Sequence, residues 1–147
     1  MAGTALGGTQ QVAFSAYCAF GTNKTIPDNT ATIVDFPTER FDVGGYYNNS
    51  TMRFTPPPGR YVVTASADFS VISASAACYI RIFKNGTTIA SSVPKQVTVA
   101  NLHQTAVTQV VDIAAGDYLE IFAIQTSGVD ATLAGSSTLT YFSASKV

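Results

Sequence analysis

The sequence is poor in charge, in cysteine and in histidine, and these shortages exclude several classes of protein. Only 12% of its 147 residues are charged, with eight basic and nine acidic residues and a net charge of −1. The basic residues are scattered, so no positive stripe could follow a phosphate backbone, and nucleic acid is not expected as a partner. No apolar run approaches the roughly 20 residues of a membrane span.

The low charge leaves Ser, Thr, Asn and Gln to supply the polar surface. Such a surface does little to keep identical chains apart, so the composition favours an oligomer, with a neutral-surfaced monomer as the alternative. The length fits one domain. The Gly-rich residues 1–9 lack the basic and apolar regions of a Sec-type signal, and we interpret them as a flexible arm before a single domain at 10–147.

Too few reactive residues are present for most catalytic or metal sites. Two cysteines and one histidine lack the ligand spacing of a zinc site. We interpret Cys18 and Cys78 as buried thiols, with a disulfide between them as the alternative. His103 is predicted in a polar loop between strands. Because no Gly-x-Ser-x-Gly sequence accompanies it, the chain is not expected to be an enzyme, and a jelly-roll hydrolase is the least favoured hypothesis.

The sequence is rich in segments that alternate apolar and polar residues with the period of two that is typical of β-strands. In the clearest one, 61–71, every odd position is apolar. Further strands are predicted at 12–20, 78–84, 96–102, 106–113, 118–125 and 137–145. Turn signals such as Asn85-Gly86 separate them, and 21–39 reads as a long loop with short edge strands. Eight to ten short strands without helices predict a sandwich or barrel.

One segment resembles the signature of C1q-like domains. Residues 41–61 read FDVGGYYNNSTMRFTPPPGRY, and the family has Phe followed by Tyr-Asp-x-x-Thr-Gly-x-Phe-x-x-Pro-x-x-Gly-x-Tyr. Matches continue with Lys84-Asn85-Gly86, with Gly116-Asp117 and with Phe142-Ser143-Ala144. Met52 stands where the family has Gly, and Asn48 where it often has Asp. The chain therefore resembles a distant, bacterial or phage member of the C1q/TNF superfamily.

The resemblance implies a ten-strand antiparallel jelly-roll β-sandwich that assembles as a compact homotrimer. The residues it assigns to the core signature are Phe41, Tyr47, Phe54, Gly59, Tyr61, Gly116 and Phe142. Phe54 and Tyr61 would fill the space between the sheets, and Asp117 would cap backbone amides in the turn at Gly116. Thr64 and Tyr141 would approach the three-fold axis.

Some C1q-like trimers bind Ca²⁺, so Asp35, Glu39 and Asp42 are candidate ligands by their proximity in sequence. Solvated loop acids are the favoured interpretation, and no cofactor is predicted.

These observations lead to two main functional hypotheses. The first is a trimeric surface module of a phage virion, such as a capsid decoration protein, head fibre or tail-tip knob, joined through the arm to another virion or surface protein. The second is an extracellular lectin-like adhesin that recognises a host glycan or protein. Its weak candidate contacts are Tyr46, Asn48 and Asn49, because exposed tyrosine and asparagine make adaptable binding surfaces.

Overall fold

A computed structural model describes residues 11–72, 76–96 and 101–147, and the secondary structure of this part is entirely β. No helix able to cross a membrane occurs among these residues. The strands are β1 (Ala13–Cys18), β2 (Lys24–Ile26), β3 (Thr32–Ile33), β4 (Thr38–Val43), β5 (Tyr47–Asn48), β6 (Arg53–Phe54), β7 (Gly59–Ile72), β8 (Ala77–Lys84), β9 (Thr87–Ser91), β10 (Lys95–Gln96), β11 (Asn101–Ile113), β12 (Leu119–Gln125), β13 (Ala131–Ala134) and β14 (Ser136–Lys146).

The strands form two antiparallel sheets of seven strands each. The first, called here the front sheet, has the order β2-β13-β7-β14-β1-β4, with β11 on the opposite side of β7. The second, the back sheet, has the order β10-β8-β12-β6-β5, with β9 beside β8 and β3 beside β12. Antiparallel pairing throughout agrees with the absence of predicted crossover helices, which parallel strands would need.

The core lies between the two sheets and follows directly from the alternation in the sequence. In β7 the odd residues from Tyr61 to Phe69 are buried, and in β8 the even residues from Cys78 to Ile82 are buried. Phe14 is at the centre of an aromatic cluster, stacked on Tyr47 at 4.8 Å and on Phe54 at 4.3 Å between ring centroids. The edge of the Phe142 ring meets Phe14 at 4.8 Å, a favourable arrangement for aromatic pairs.

The predicted jelly-roll sandwich is confirmed, and most predicted strands coincide with observed ones. Within the described residues, nine strands have four or more residues and five have only two or three. The short strands explain why the number of observed strands exceeds the predicted ten. The interval 21–39 holds two short strands and the start of β4, as expected. The predicted strand 96–102 and the arm 1–9 lie partly or wholly outside the described residues.

Two placements were wrong. Phe41 was assigned to the core, but its side chain is 50% exposed on β4, because it points away from the back sheet. His103 was placed in a loop, but it lies within β11 and pairs with Phe69 of β7. The polar residues around His103 indicated a loop, whereas the strand continues because only one face of β11 contacts the core.

Both cysteines are buried and no disulfide joins Cys18 to Cys78, as the favoured interpretation had it. The Sγ of Cys18 donates a hydrogen bond to the carbonyl oxygen of Thr22 at 2.9 Å. Burial raises the pKa of Cys18. This thiol is therefore less reactive than an exposed one, because the nucleophile is the thiolate.

Candidate self-association surfaces

The outer face of the front sheet has a central area of uncharged side chains. The strand registers align two rows of outward side chains across five strands. The first row is Val43, Ala13, Ser145, Val62 and Val110, and the second is Phe41, Ser15, Ser143, Thr64 and Thr108. These ten residues are called the front face. None carries a charge, which is unusual for ten neighbouring surface positions.

The front face exposes apolar surface beside its small hydroxyl groups. Phe41 is 50% exposed and Val43 is 47% exposed. Phe41, Val62, Thr64, Ser143 and Ser145 line a shallow hollow of about 270 Å³. A face of this kind is shaped to receive apolar side chains from another molecule.

Several polar groups near the front face are already paired within the chain. The Arg40 Nη1 donates to the Ser15 Oγ at 3.2 Å, its Nη2 donates to the Ser137 carbonyl oxygen, and its guanidinium lies 4.7 Å from the Tyr17 ring centroid. The hydroxyls of Thr64 and Thr108 are 3.2 Å apart and share a hydrogen bond. Three of the five hydroxyl groups of the front face, those of Ser15, Thr64 and Thr108, therefore keep a hydrogen bond within the chain when water is removed.

A second apolar surface lies along the side of the sandwich. Among the described residues, β9 pairs only with β8 and β11 pairs only with β7, so both are edge strands. Between them is a hollow of about 210 Å³. Its lining residues, called here the side edge, are Lys84, Ile89, Gln109, Val110, Val111 and Asp112. Ile89 and Val110 are exposed there. Exposed apolar edge strands are commonly covered in native proteins.

Sequence reasoning missed Val43, Ile89 and Val110 as surface positions. One signal was present, because Val110-Val111 places two successive valines in a strand that otherwise alternates. Successive strand residues point to opposite faces, so one of the two had to be outside.

Thr64 was assigned to the trimer axis and lies on the front face. Tyr141, the other axis residue, pairs with Ser66 and Tyr17 in the neighbouring row.

The signature residues other than Phe41 occupy structural positions. Tyr47, Phe54, Tyr61 and Phe142 are buried between the sheets. The Tyr47 hydroxyl donates to the Phe36 carbonyl oxygen at 2.9 Å, and burial raises the pKa of this phenol. Gly59 begins β7 directly after the proline run.

The turn at Gly116 has the predicted form. Gly116 has φ = +85°, and the Asp117 Oδ2 accepts the Ala114 backbone N–H at 2.9 Å. The Nζ of Lys84 lies 3.1 Å from the Asp117 Oδ2, and the Asn85 Nδ2 donates to the Asp117 Oδ1 at 2.6 Å. The hydrogen bond from Ala114, and then those from Asn85 and Lys84, lower the pKa of Asp117 to about 2.

The three candidate calcium ligands are not gathered into one site. Asp35 pairs with Lys24 at 2.8 Å, and the Asp42 carboxylate accepts the backbone N–H groups of Tyr46 and Tyr47 at 3.1 and 2.9 Å. Glu39 is exposed on β4. In the part of the chain that the structure describes, no group of three or more His, Cys, Asp or Glu residues could hold a metal ion. Asp35 and Asp42 have structural partners of their own.

The residues proposed for glycan contact are largely engaged in their own loop. The Asn48 Oδ1 accepts the backbone N–H of Ser50 at 2.9 Å and that of Thr51 at 3.2 Å. Asn49 donates to the Pro37 carbonyl oxygen at 3.4 Å, and Tyr46 packs partly buried against the core. These contacts hold the loop between β5 and β6 and leave these side chains little capacity for a ligand.

Comparison with known proteins identifies the fold. No protein-family model and no curated protein matches the sequence. Among solved structures, Eiger TNF from S. frugiperda is similar with a TM-score of 0.70 and 11% identity, covering 94% of this chain and 93% of that one. Murine APRIL follows with 0.68 and 12% identity, covering 93% of this chain and 99% of that one.

The globular domain of zebrafish complement 1qA is also similar, with a TM-score of 0.62, 16% identity and coverage of 93% of this chain and 97% of that one. Two stacked antiparallel sheets in jelly-roll order and these three neighbours agree with one another. The chain has the C1q/TNF-like jelly-roll fold.

Proposed function

We propose that this chain is a non-enzymatic, homotrimeric surface module whose subunits join through the front face and the side edge. The observation that carries the proposal is the front face itself, ten aligned side chains without a charge and with Phe41 and Val43 half exposed. A soluble monomer gains nothing from such a face, whereas a second copy would bury it.

Two apolar surfaces that share only Val110 favour a ring over a two-fold dimer. A two-fold interface joins a patch to its own copy, whereas a ring joins one patch to another around a closed rotation. The front face carries hydroxyl groups, while the side edge presents Ile89 at the border of the sandwich. In the ring that we propose, the side edge of one subunit docks on the front face of the next, with three copies, the number implied by the C1q resemblance.

The setting we propose for this trimer is the surface of a phage virion, as a decoration protein, head fibre or tail-tip knob. The support is the Gly-rich arm at residues 1–9, which has the composition of a flexible attachment segment. Through this arm the trimer would hold another virion or surface protein.

The solution mass tests the trimer. We expect sedimentation equilibrium of the wild-type chain to give three chains per particle, and Phe41→Glu to give single chains, because burying an unpaired carboxylate at the interface is unfavourable. Val129→Glu is the matched control. Val129 is 61% exposed in the loop between β12 and β13, away from both surfaces, so this variant should stay trimeric.

A wild-type chain that sediments as a monomer would refute the trimer. A Phe41→Glu variant that remains trimeric with a native circular dichroism spectrum would refute the front face as the interface.

Incorporation into particles tests the virion setting. Deleting residues 1–9 should leave the trimer intact and abolish its retention on purified virions. Full retention of the shortened chain would contradict the attachment role of the arm.

A further inference from the structure

The outer face of the back sheet carries a strip of aromatic and arginine side chains that the proposed trimer does not use. We define the back face by Arg53 on β6, by Tyr79, Arg81 and Phe83 on β8, and by Glu120 and Phe122 on β12. In β8 the side chains of Tyr79, Arg81 and Phe83 alternate with buried residues, so they point away from the core. The other three residues likewise alternate with buried neighbours in β6 and β12. The back face lies on the side of the sandwich opposite the front face, so it stays accessible in the trimer proposed above.

Arg81 is the unusual member of this strip. Its guanidinium carbon lies 5.0 Å from the Tyr79 ring centroid, and its Nε is buried without a hydrogen-bond partner among the described residues. None of the ion pairs among the described residues includes it. A partly buried guanidinium without a counter-charge in the described part of the chain requires an explanation, and an anion bound at the side of the guanidinium away from the buried Nε is one.

Arg53, on the same face, has a carboxylate partner, which Arg81 does not have among the described residues. The Arg53 Nε lies 2.9 Å from the Oε1 of Glu120, which is almost completely buried, and its guanidinium carbon lies 4.1 Å from the Tyr118 ring centroid. Both arginines lie against an aromatic ring, but only Arg53 has a counter-charge. The back face therefore carries one net positive charge on a chain whose overall charge is −1.

Two aromatic rings lie beside Arg81. Phe122 is the strand partner of Arg81, and its ring stacks on Phe83 with centroids 4.3 Å apart. Both rings are partly exposed. The face of an aromatic ring is negative and attracts the weakly positive C–H groups that line one side of a pyranose ring. A planar guanidinium matches a carboxylate through two parallel hydrogen bonds.

We propose that the back face binds an acidic sugar, with its carboxylate on Arg81 and its ring packed against Phe122, the cross-strand neighbour of Arg81. A peptide carboxylate is less suited to this place. Both β8 and β12 have strand partners on each side, so no free backbone edge is available for an added peptide strand. The proposal moves glycan binding from the loop at Asn48 to the back face and does not depend on the oligomeric state.

The test uses two sugars that differ only at carbon 6, where one has a carboxylate and the other a hydroxymethyl group. Methyl β-D-glucuronide and methyl β-D-glucoside are titrated against the full chain, and binding is followed by saturation-transfer NMR. We expect the glucuronide to bind about ten-fold more tightly, the effect of one charge-assisted hydrogen-bonded contact. Arg81→Gln should reduce glucuronide binding to the level of the glucoside. Phe122→Leu should weaken both sugars.

Arg60→Gln is the matched control, because it removes one positive charge from an exposed pair with Asp112 elsewhere on the chain. It should keep the ten-fold preference, and thermal unfolding should show all variants folded. Equal binding of the two sugars, or an unchanged preference in Arg81→Gln, would overturn the proposal. Tetraglutamate competing as well as the glucuronide would also overturn it, because the site would then recognise carboxylates without regard to the sugar ring.

Discussion

At the scale of single residues, Gly135 is held in place by backbone on two sides. It lies between β13 and β14, and a Cβ atom there would clash with the Ala19 carbonyl oxygen and lie 2.6 Å from that of Thr22. Its N–H donates to the Asn23 Oδ1 at 3.2 Å. Backbone atoms cannot rotate away as a flexible side chain does, so the turn after β1 and the turn before β14 would have to separate.

We therefore expect Gly135→Ala to lower the free energy of unfolding by at least about 2 kcal/mol, as overpacking does. Gly45→Ala is the control, because nothing lies within 4 Å of a Cβ there and only its φ of +73° is unfavourable. That variant should lose about 1 kcal/mol. Urea unfolding measures both, and equal losses would mean that the contact at Gly135 is relieved by a small shift of the chain.

Asp117 makes a stability contribution that depends on pH. Its pKa in the folded chain is about 2, lowered first by the hydrogen bond from Ala114. In the unfolded chain a free Asp titrates near 3.9. A lowered folded pKa stabilises the fold above the unfolded pKa, and this contribution disappears as the pH falls through the folded pKa.

We expect the stability advantage of the wild type over Asp117→Asn to be largest above about pH 4 and to shrink between about pH 4 and pH 2. Chemical unfolding at several pH values measures it. Asp130→Asn, which removes one carboxylate from an exposed loop position, is the control for the change in net charge. An advantage of Asp117 that stays constant down to pH 2 would contradict the hydrogen-bonded carboxylate in this turn.

At the scale of strands, one buried polar side chain joins the ends of three elements. The Gln125 Nε2 donates to the carbonyl oxygens of Ile26 in β2 and of Val129 before β13, at 3.0 and 2.8 Å. Its Oε1 accepts the Ser127 N–H at 2.7 Å. Gln125 thus ties the end of β12 in the back sheet to β2 and to the start of β13 in the front sheet.

Gln125→Leu should lower the free energy of unfolding by at least about 2 kcal/mol, because each buried polar group left without a partner costs about 1–3 kcal/mol. Gln11→Leu, at an exposed position before β1, is the control and should change stability by less than about 0.5 kcal/mol. Denaturant unfolding compares the two. A small loss for Gln125→Leu would mean that water replaces the amide.

The strands themselves could be predicted from sequence, because burial of one face imposes a period of two. The alternation in 61–71 and 78–84 placed β7 and β8 to within two residues. Phe41 could not be placed, because an aromatic residue on the outer face of a sheet has the same sequence signature as one in the core. The position of Gln125 also gave no signal, since its burial depends on two distant loop ends.

Some details of the resemblance have a physical explanation only in the structure. Met52, which replaces a family glycine, has φ = +59°, a conformation that favours glycine. Its Sδ accepts the Phe36 N–H at 3.1 Å and lies 3.4 Å from the Tyr47 hydroxyl. The contacts of the sulfur with two core residues offset the strained backbone.

The back face could not be predicted from the sequence, because Phe83 and Phe122 are neighbours only through the register of β8 and β12.

At the scale of the whole molecule, the lack of charge on the front face predicts how trimer formation responds to ionic strength and to protein concentration. The front face brings no charge to the interface, and the two charged residues of the side edge have partners within the chain, Lys84 with Asp117 and Asp112 with Arg60. Association should therefore depend little on ionic strength, since salt screens only charges. It also couples folding to protein concentration, because the assembled state binds folded chains and not unfolded ones.

We therefore expect the thermal midpoint of the wild type to rise by about 5 °C between about 1 µM and about 100 µM chain. At fixed concentration, the sedimentation mass should stay that of a trimer from about 0.05 M to about 0.5 M NaCl. Phe41→Glu, which adds a charge to the front face, should unfold at a midpoint independent of concentration. Burial of an uncharged surface predicts a midpoint that rises with concentration and a trimer that persists in salt. A wild-type midpoint that does not move with concentration would show that the front face does not join the subunits. A trimer that dissociates in salt would show the same.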